Sequence, residues 1–237
     1  MATFYANPYD ITYAGFYFDS AEDYAKKEAA HPAEEFEIDF IDGSTAEAEL
    51  AEELRLYGYP VSQGNLDVWF DQIEFLSEYE MAQVAIQADR AGPADDLDDI
   101  ISAASDVDLR EASLEDLAYE YVQEGIIDIE RYFDETAFGR DIRINGDHVN
   151  HLYEDQEYYL ERGDTEEAER MQEEIDRQES LSDREIGEEA VESFGGAGEL
   201  PRQTQEMYVD YDAVERDLGF DYNELVFAGT QYVVGPS

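Results

Sequence analysis

Residues 94–125 read ADDLDDIISAASDVDLREASLEDLAYEYVQEG, and eleven of these 32 positions are Asp or Glu against a single basic residue, Arg110. So charged a stretch stays solvated and unfolded unless its apolar residues are spaced to bury a face. Here the spacing is present. Leu97, Ile100, Ile101 and Ala104, then Leu114, Leu117, Ala118 and Tyr121, recur at helical intervals. Two helices are expected, the second capped by Ser113 with Asp116 at capping-box distance. Folding them gathers the carboxylates onto one solvated surface, and such an array of like charge calls for a compensating reason.

The same period runs back to about residue 45. Leu50, Ala51, Leu54 and Tyr57 mark a helix stopped by Gly58 and Pro60. Leu66, Trp69, Phe70 and Ile73 mark another; Met81, Val84, Ala85 and Ala88 continue or follow it up to Gly92-Pro93. Before residue 45 the pattern changes. Residues 9–19 (YDITYAGFYFD) are rich in β-formers, Ser20 caps a helix over AEDYAKKEAA, and Phe36, Ile38 and Phe40 alternate with acids as in a strand.

Beyond residue 125 a short element occurs twice. Shifted by 76 positions, Tyr132, Asp134, Ala137, Arg140 and Asp141 meet Tyr208, Asp210, Ala213, Arg216 and Asp217. Residues 149–200 lie between the copies and read as a helical hairpin turning at Gly163-Asp164, with SFGGAGELP as a linker; ELVFAGTQYVV closes a sheet. The expected fold is α+β, in three segments. These are an α+β unit at 1–44, an acidic helical module at 45–124, and an α+β unit at 125–237 with a helical insertion at about 149–200.

The 237 residues carry 62 acidic and 14 basic side chains, a formal net charge of −48, with 43% hydrophobic residues to build cores. That sign excludes nucleic acid and anionic membranes as direct partners. It favours basic proteins, cations or a high-salt habitat. The charge is uneven: residues 28–130 hold 29 acids and three arginines, residues 131–237 hold 29 acids and nine arginines. There is no cysteine and no run long enough to span a bilayer, and MATFYANPYD does not read as a signal peptide. A cytoplasmic protein is expected.

Nothing announces catalysis. With 62 carboxylates, pairs at catalytic separation arise by accident. The stretch SDVDLREASLED (105–116) has Glu111 where a calcium loop starting at Asp106 needs Gly. His148 and His151, beside Asp147, read as surface residues, and no phosphate loop or nucleophile motif is present. No metal, cofactor or enzymatic activity is expected. Tyr5, Tyr9, Tyr13, Tyr17, Tyr119 and Tyr121 read as core residues with the hydroxyl left at the surface.

At GIIDIERYFDETAFGRDI (125–142) the sequence resembles the ArdA antirestriction proteins, whose motif runs Tyr-Phe-Asp-Tyr-Glu-Ala-x-(Ala/Gly)-Arg-Asp-Leu. Tyr132, Phe133, Asp134, Ala137, Gly139, Arg140 and Asp141 match it; Glu135, Thr136 and Ile142 depart. The downstream copy, MYVDYDAVERDLGFDYNELVFAGTQYVV, restores Tyr211 and Leu218, and SLEDLAYEYVQEG is similar to the family's helix before the motif. The resemblance covers residues 9–145 and 205–234, leaving the hairpin as an insertion. It implies a DNA mimic, carried by mobile elements such as phages or plasmids. Such a protein is an elongated homodimer that occupies the DNA groove of a type I restriction–modification enzyme, or a related DNA-targeting defence enzyme, as a stoichiometric competitive inhibitor.

Phosphate-like carboxylates are expected at Asp95, Asp96, Asp98, Asp99, Asp106, Asp108, Glu111, Glu115, Asp116, Glu120, Glu124, Asp128, Glu130, Asp134 and Asp141. Tyr132, Phe133, Ala137 and Arg140 are assigned to the motif and a dimer contact. Two other readings stand beside this one: an acidic adaptor or chaperone-like module for basic proteins, and a halophile-adapted protein of other function, since only Lys26 and Lys27 accompany twelve arginines.

Overall fold

The computed structural model describes residues 2–92, 95–146 and 148–236, so Pro93 and Asp147 lie outside the described residues. The fold is mixed α+β: helices dominate, and two small three-stranded antiparallel sheets are formed by strands toward the ends of the chain and one short strand near its middle. The chain divides into two compact units, Met1–Ser113 with Asp221–Ser237 (unit 1) and Leu114–Phe220 (unit 2).

Unit 1 opens with β1 (Thr3–Pro8), β2 (Phe16–Phe18), α1 (Ala21–Ala30) and β3 (Phe36–Asp42), the strands ordered β2-β1-β3. Alternation sends Phe4 and Ala6 of β1 and Phe36 and Ile38 of β3 inward. The strand expected over 9–19 is only the three residues of β2. Asp10 turns the chain back, its carboxylate accepting from the Thr12 N–H (3.0 Å) and hydroxyl (2.7 Å).

Four helices follow: α2 (Thr45–Leu56), α3 (Leu66–Asp71), α4 (Glu78–Arg90) and α5 (Leu97–Ala104), before the short β4 (Leu109–Arg110). Ser44 with Glu47, Ser77 with Glu80 and Asp96 with Asp99 form reciprocal capping boxes, which satisfy backbone N–H groups that the first turn leaves unpaired. The apolar faces meet the first sheet in one core around Trp69, Phe4 and Leu50.

The chain end returns to this core. β5 (Asn223–Phe227) and β6 (Thr230–Val234) form a hairpin whose turn residues, Ala228 and Gly229, both have positive φ (51° and 88°), as a two-residue type I′ turn requires. β6 also pairs with β4, Leu109 opposite Val234, and Phe227, Tyr232 and Val234 join the core of the helical module. The sheet therefore combines residues from two of the three segments expected from sequence, and the boundaries at 44/45 and 124/125 both fall inside units. A hairpin needs a third strand and an apolar partner for stability, and the nearest along the chain, at 125–220, are helices.

Unit 2 comprises α6 (Leu114–Glu124), α7 (Glu135–Asn145), α8 (Asn150–Glu161), α9 (Thr165–Ser180), α10 (Asp183–Phe194), α11 (Arg202–Tyr208) and α12 (Tyr211–Leu218). The expected hairpin is α8–α9, turning at Gly163 (φ 75°) with Asp164 capping α9. α7 and α10 pack closest, because Gly139 and Gly187 face backbone: a Cβ on Gly139 would overlap the Asp183 carbonyl, and one on Gly187 the Glu135 carbonyl. Residues 193–201 are more than a linker. Ala197 and Leu200 are buried with Phe133 and Val191.

Candidate functional site

Every carboxylate expected on the phosphate-like surface is exposed. Asp95, Asp96, Asp98, Asp99, Asp106, Asp108 and Glu111 belong to unit 1; Glu115, Asp116, Glu120, Glu124, Asp128, Glu130, Asp134 and Asp141 belong to unit 2. Exposure is the ordinary condition of a carboxylate. What distinguishes several of these is that they are held. Asp95 accepts from the Gly92 N–H (2.7 Å), Asp98 from the Gln72 amide (2.5 Å), and Asp96 and Asp99 share the α5 capping box. Asp128 caps the 3₁₀ turn Ile129–Arg131, Asp134 caps α7 through the Ala137 N–H (2.9 Å), and Glu130 accepts from the Gly198 N–H (3.0 Å). These bonds fix the carboxylates in place, and those at helix N-termini are favoured by the positive end of the helix dipole.

Packing adds acidic clefts that the sequence pattern did not disclose. In unit 2, α6 and α12 enclose a cleft of about 520 Å³ lined by Glu115 and Asp116 on one helix and Asp212 and Glu215 on the other. Its floor holds Tyr119 and Tyr211, whose rings stack at 5.9 Å and 25°. Burial, then the charge of Glu206, raises the Tyr211 pKa and keeps its hydroxyl protonated. In unit 1, Glu49, Glu53, Asp89 and Glu224 rim a cleft of about 340 Å³ over Ile86 and Leu225, with Arg90 beside them. Glu53 has a raised pKa, first from burial and then from Glu49 and Asp89. Carboxylates above an apolar or aromatic floor suit a lysine or arginine side chain, head and stem together. Asp212, Glu215, Glu49, Glu53 and Asp89 escaped the sequence reading because they lie outside the densest acidic run. An acidic spacing of three and four, Glu49 with Glu52 and Glu53 and Asp212 with Glu215, was the available signal for all but Asp89.

The motif residues are brought to one place. Tyr132 donates its hydroxyl to Asp217 (3.0 Å), and Phe133 is buried, its ring 5.5 Å from Phe138 and 6.0 Å from Tyr208. The Ala137 N–H closes the Asp134 cap, and exposed Arg140 pairs with Asp183 (3.4 Å), which Arg143 also holds (2.6 Å). Arg143 and then Arg140 keep the Asp183 carboxyl below its usual pKa.

Elsewhere the tyrosines depart from expectation. Tyr9, Tyr13, Tyr17 and Tyr119 are largely exposed, and Tyr5 and Tyr17 are paired across β1 and β2 with rings 4.8 Å apart. His148 is half-buried with a lowered pKa, from burial and then Arg143. Among the described residues no group of three His, Asp or Glu side chains is placed to hold a metal ion, and no helix is long and apolar enough to cross a membrane. Comparison with family models, curated proteins and solved structures returned no match.

Proposed function

We propose that this chain is a DNA mimic. It occupies the DNA groove of a type I restriction–modification enzyme, or a related DNA-targeting defence enzyme, as a stoichiometric competitive inhibitor without turnover. The observation that carries the reading is a net charge of −48 on a folded chain whose expected carboxylates are all exposed and in part fixed by caps and hydrogen bonds. The resemblance of residues 125–142 to the ArdA motif supplies the target class.

The physics supports it in magnitude. Duplex DNA carries one charge per roughly 1.7 Å of axis, so −48 corresponds to the charge on about 24 base pairs. Carboxylates three and four apart on a helix stand roughly 5–6 Å apart at Cβ, close enough to present a row of negative charge. A groove lined with Arg and Lys is already organised for phosphates, and a rigid acidic surface enters it without the ordering cost of a flexible chain.

The test is displacement. With a purified type I enzyme and a labelled duplex, the chain should release the duplex at near one equivalent per DNA site. Excess duplex should restore binding, and the competition should weaken steeply as salt rises. Inhibition that excess duplex cannot reverse, or no inhibition at all, would eliminate the proposal.

The two lysines against twelve arginines favour a second reading, adaptation to molar salt. It predicts that circular dichroism loses its helical signal at low salt, with no competition against DNA. The two readings are compatible, and only the competition assay separates them.

A further inference from the structure

The repeated element of unit 2 closes on itself. Residues 132–134 and 208–210 run antiparallel, with Phe133 and Val209 opposite each other. The Asp134 N–H donates to the Tyr208 carbonyl at 2.8 Å, and the Asp210 N–H donates to the Tyr132 carbonyl at 2.8 Å. The Tyr132 hydroxyl reaches Asp217 of the other copy (3.0 Å), and the Tyr208 hydroxyl reaches Asp141 (2.7 Å). Each copy caps its own helix alike: Asp134 accepts from the Ala137 N–H at 2.9 Å, and Asp210 from the Ala213 N–H at 3.0 Å.

Exchange the two copies and every one of these bonds maps onto another. That is the property of an isologous, two-fold contact, in which residue i of one copy meets j of the other and j meets i. The six residues of the cross-copy bonds are the tyrosines and aspartates shared by the two copies under the shift of 76. Where the copies differ, each answers to its own neighbour. Gly139 stands where α10 crosses α7, whereas its counterpart Glu215 rims the cleft between α12 and α6.

We infer that residues 132–142 and 208–218 are two halves of one self-complementary docking surface, and that a single chain closes this surface within itself. The contact that two copies of a one-motif chain would share is thus made here inside a monomer. A homodimer of this protein has to use another surface. The inference stands on hydrogen bonds and sequence repetition alone and is independent of DNA mimicry.

The chain has no cysteine, which makes a crosslinking test free of background. The hydrogen bonds flanking Phe133 and Val209 make them a non-hydrogen-bonded antiparallel pair, with Cα atoms about 4.5 Å apart, inside the roughly 4.4–6.8 Å range of a disulfide. Oxidised at low micromolar concentration, the full-length Phe133→Cys/Val209→Cys variant should give a species of monomer mass that migrates faster on a non-reducing gel. A covalent dimer as the main product would overturn the inference.

Phe133 is a core residue, so a second measurement uses the unaltered sequence. Any dependence of its melting temperature on concentration over a hundredfold range should be the same in Tyr208→Phe, because an internal contact has no mass-action dependence. A melting temperature that climbs with concentration in the native chain, and ceases to climb in Tyr208→Phe, would show the contact to be shared between chains and defeat the inference.

Discussion

Unit 1 buries Trp69, Phe4, Phe18 and Phe227 almost completely in one core, whereas the largest fully buried side chains of unit 2 are Leu117, Ile175 and Val214. Their charge differs in kind as well. Unit 1 carries 29 acidic and five basic residues, unit 2 carries 33 and nine, so each has a formal charge of −24, but unit 2 is the shorter. The arginines of unit 2 are engaged: Arg143 and Arg140 with Asp183, Arg177 with Glu174 and Glu189, Arg131 with Asp217. The ion pairs of unit 1 include the local Lys27–Asp23 and Arg55–Glu52. Two solutions to the same repulsion are therefore present. One outweighs it with apolar burial, the other offsets it with close helix crossings, tyrosine–carboxylate bonds and distributed ion pairs.

The largest expected effect lies in the apolar unit. Trp69→Ala should cost about 3–5 kcal/mol in denaturant melts followed by circular dichroism. Trp69→Phe should cost far less, because the buried indole N–H has no hydrogen-bond partner among the described residues and its removal relieves an unsatisfied donor. A Phe variant as unstable as the Ala variant would show that the indole does more than fill volume.

In unit 2 the corresponding weak point is a backbone approach. Gly139→Ala should cost about 3 kcal/mol, since overpacking at a helix crossing cannot be relieved by a side-chain rotation. Hydrogen exchange should report lost protection in α7 and α10 while the amides of β1 and β3 keep theirs. Equal loss in both units would break the contrast drawn between them.

Smaller effects come from the tyrosine pair. Tyr132→Phe and Tyr208→Phe should each cost about 1 kcal/mol, and by nearly equal amounts, because the two bonds are counterparts. Burial and then Asp141 push the Tyr208 pKa up to about 12. A raised pKa means that the folded state holds the proton more tightly. The hydroxyl's contribution is thus complete below about pH 10, the ordinary tyrosine value, and is lost as pH rises from there toward 12. Stability measured against pH should fall less across that window in Tyr208→Phe than in the native chain.

The smallest effects belong to the exposed acids. Neutralising Asp106 or Glu124 alone should move stability by no more than about 0.5 kcal/mol. Under the mimicry proposal it should also barely change inhibition, while clusters of substitutions add. A single substitution that abolished inhibition would replace a distributed surface with a discrete contact.

How much of this was legible can be read from particular residues. Ser20 announced a helix start because a cap acts over three residues, and α1 begins where that residue stands. The strand expected over 9–19 failed for an equally local reason: the Asp10 turn competes with strand pairing and cannot be seen in β-propensity. The acidic cleft over Tyr119 and Tyr211 needed α6 and α12 to meet across some ninety residues of chain, which no window of sequence contains.

Composition and periodicity alone determined that this chain folds despite its charge, that helices dominate, and that the carboxylates of its densest acidic run face solvent, since these follow from short-range spacing and from the cost of burying a charge. The repeat at 132 and 208 was equally visible in sequence. Tertiary structure alone decided that the two copies grip each other and that the last strands return to the core of the first unit. Those outcomes depend on which distant surfaces complement one another, and complementarity between surfaces is a property of packed side chains that linear order does not encode.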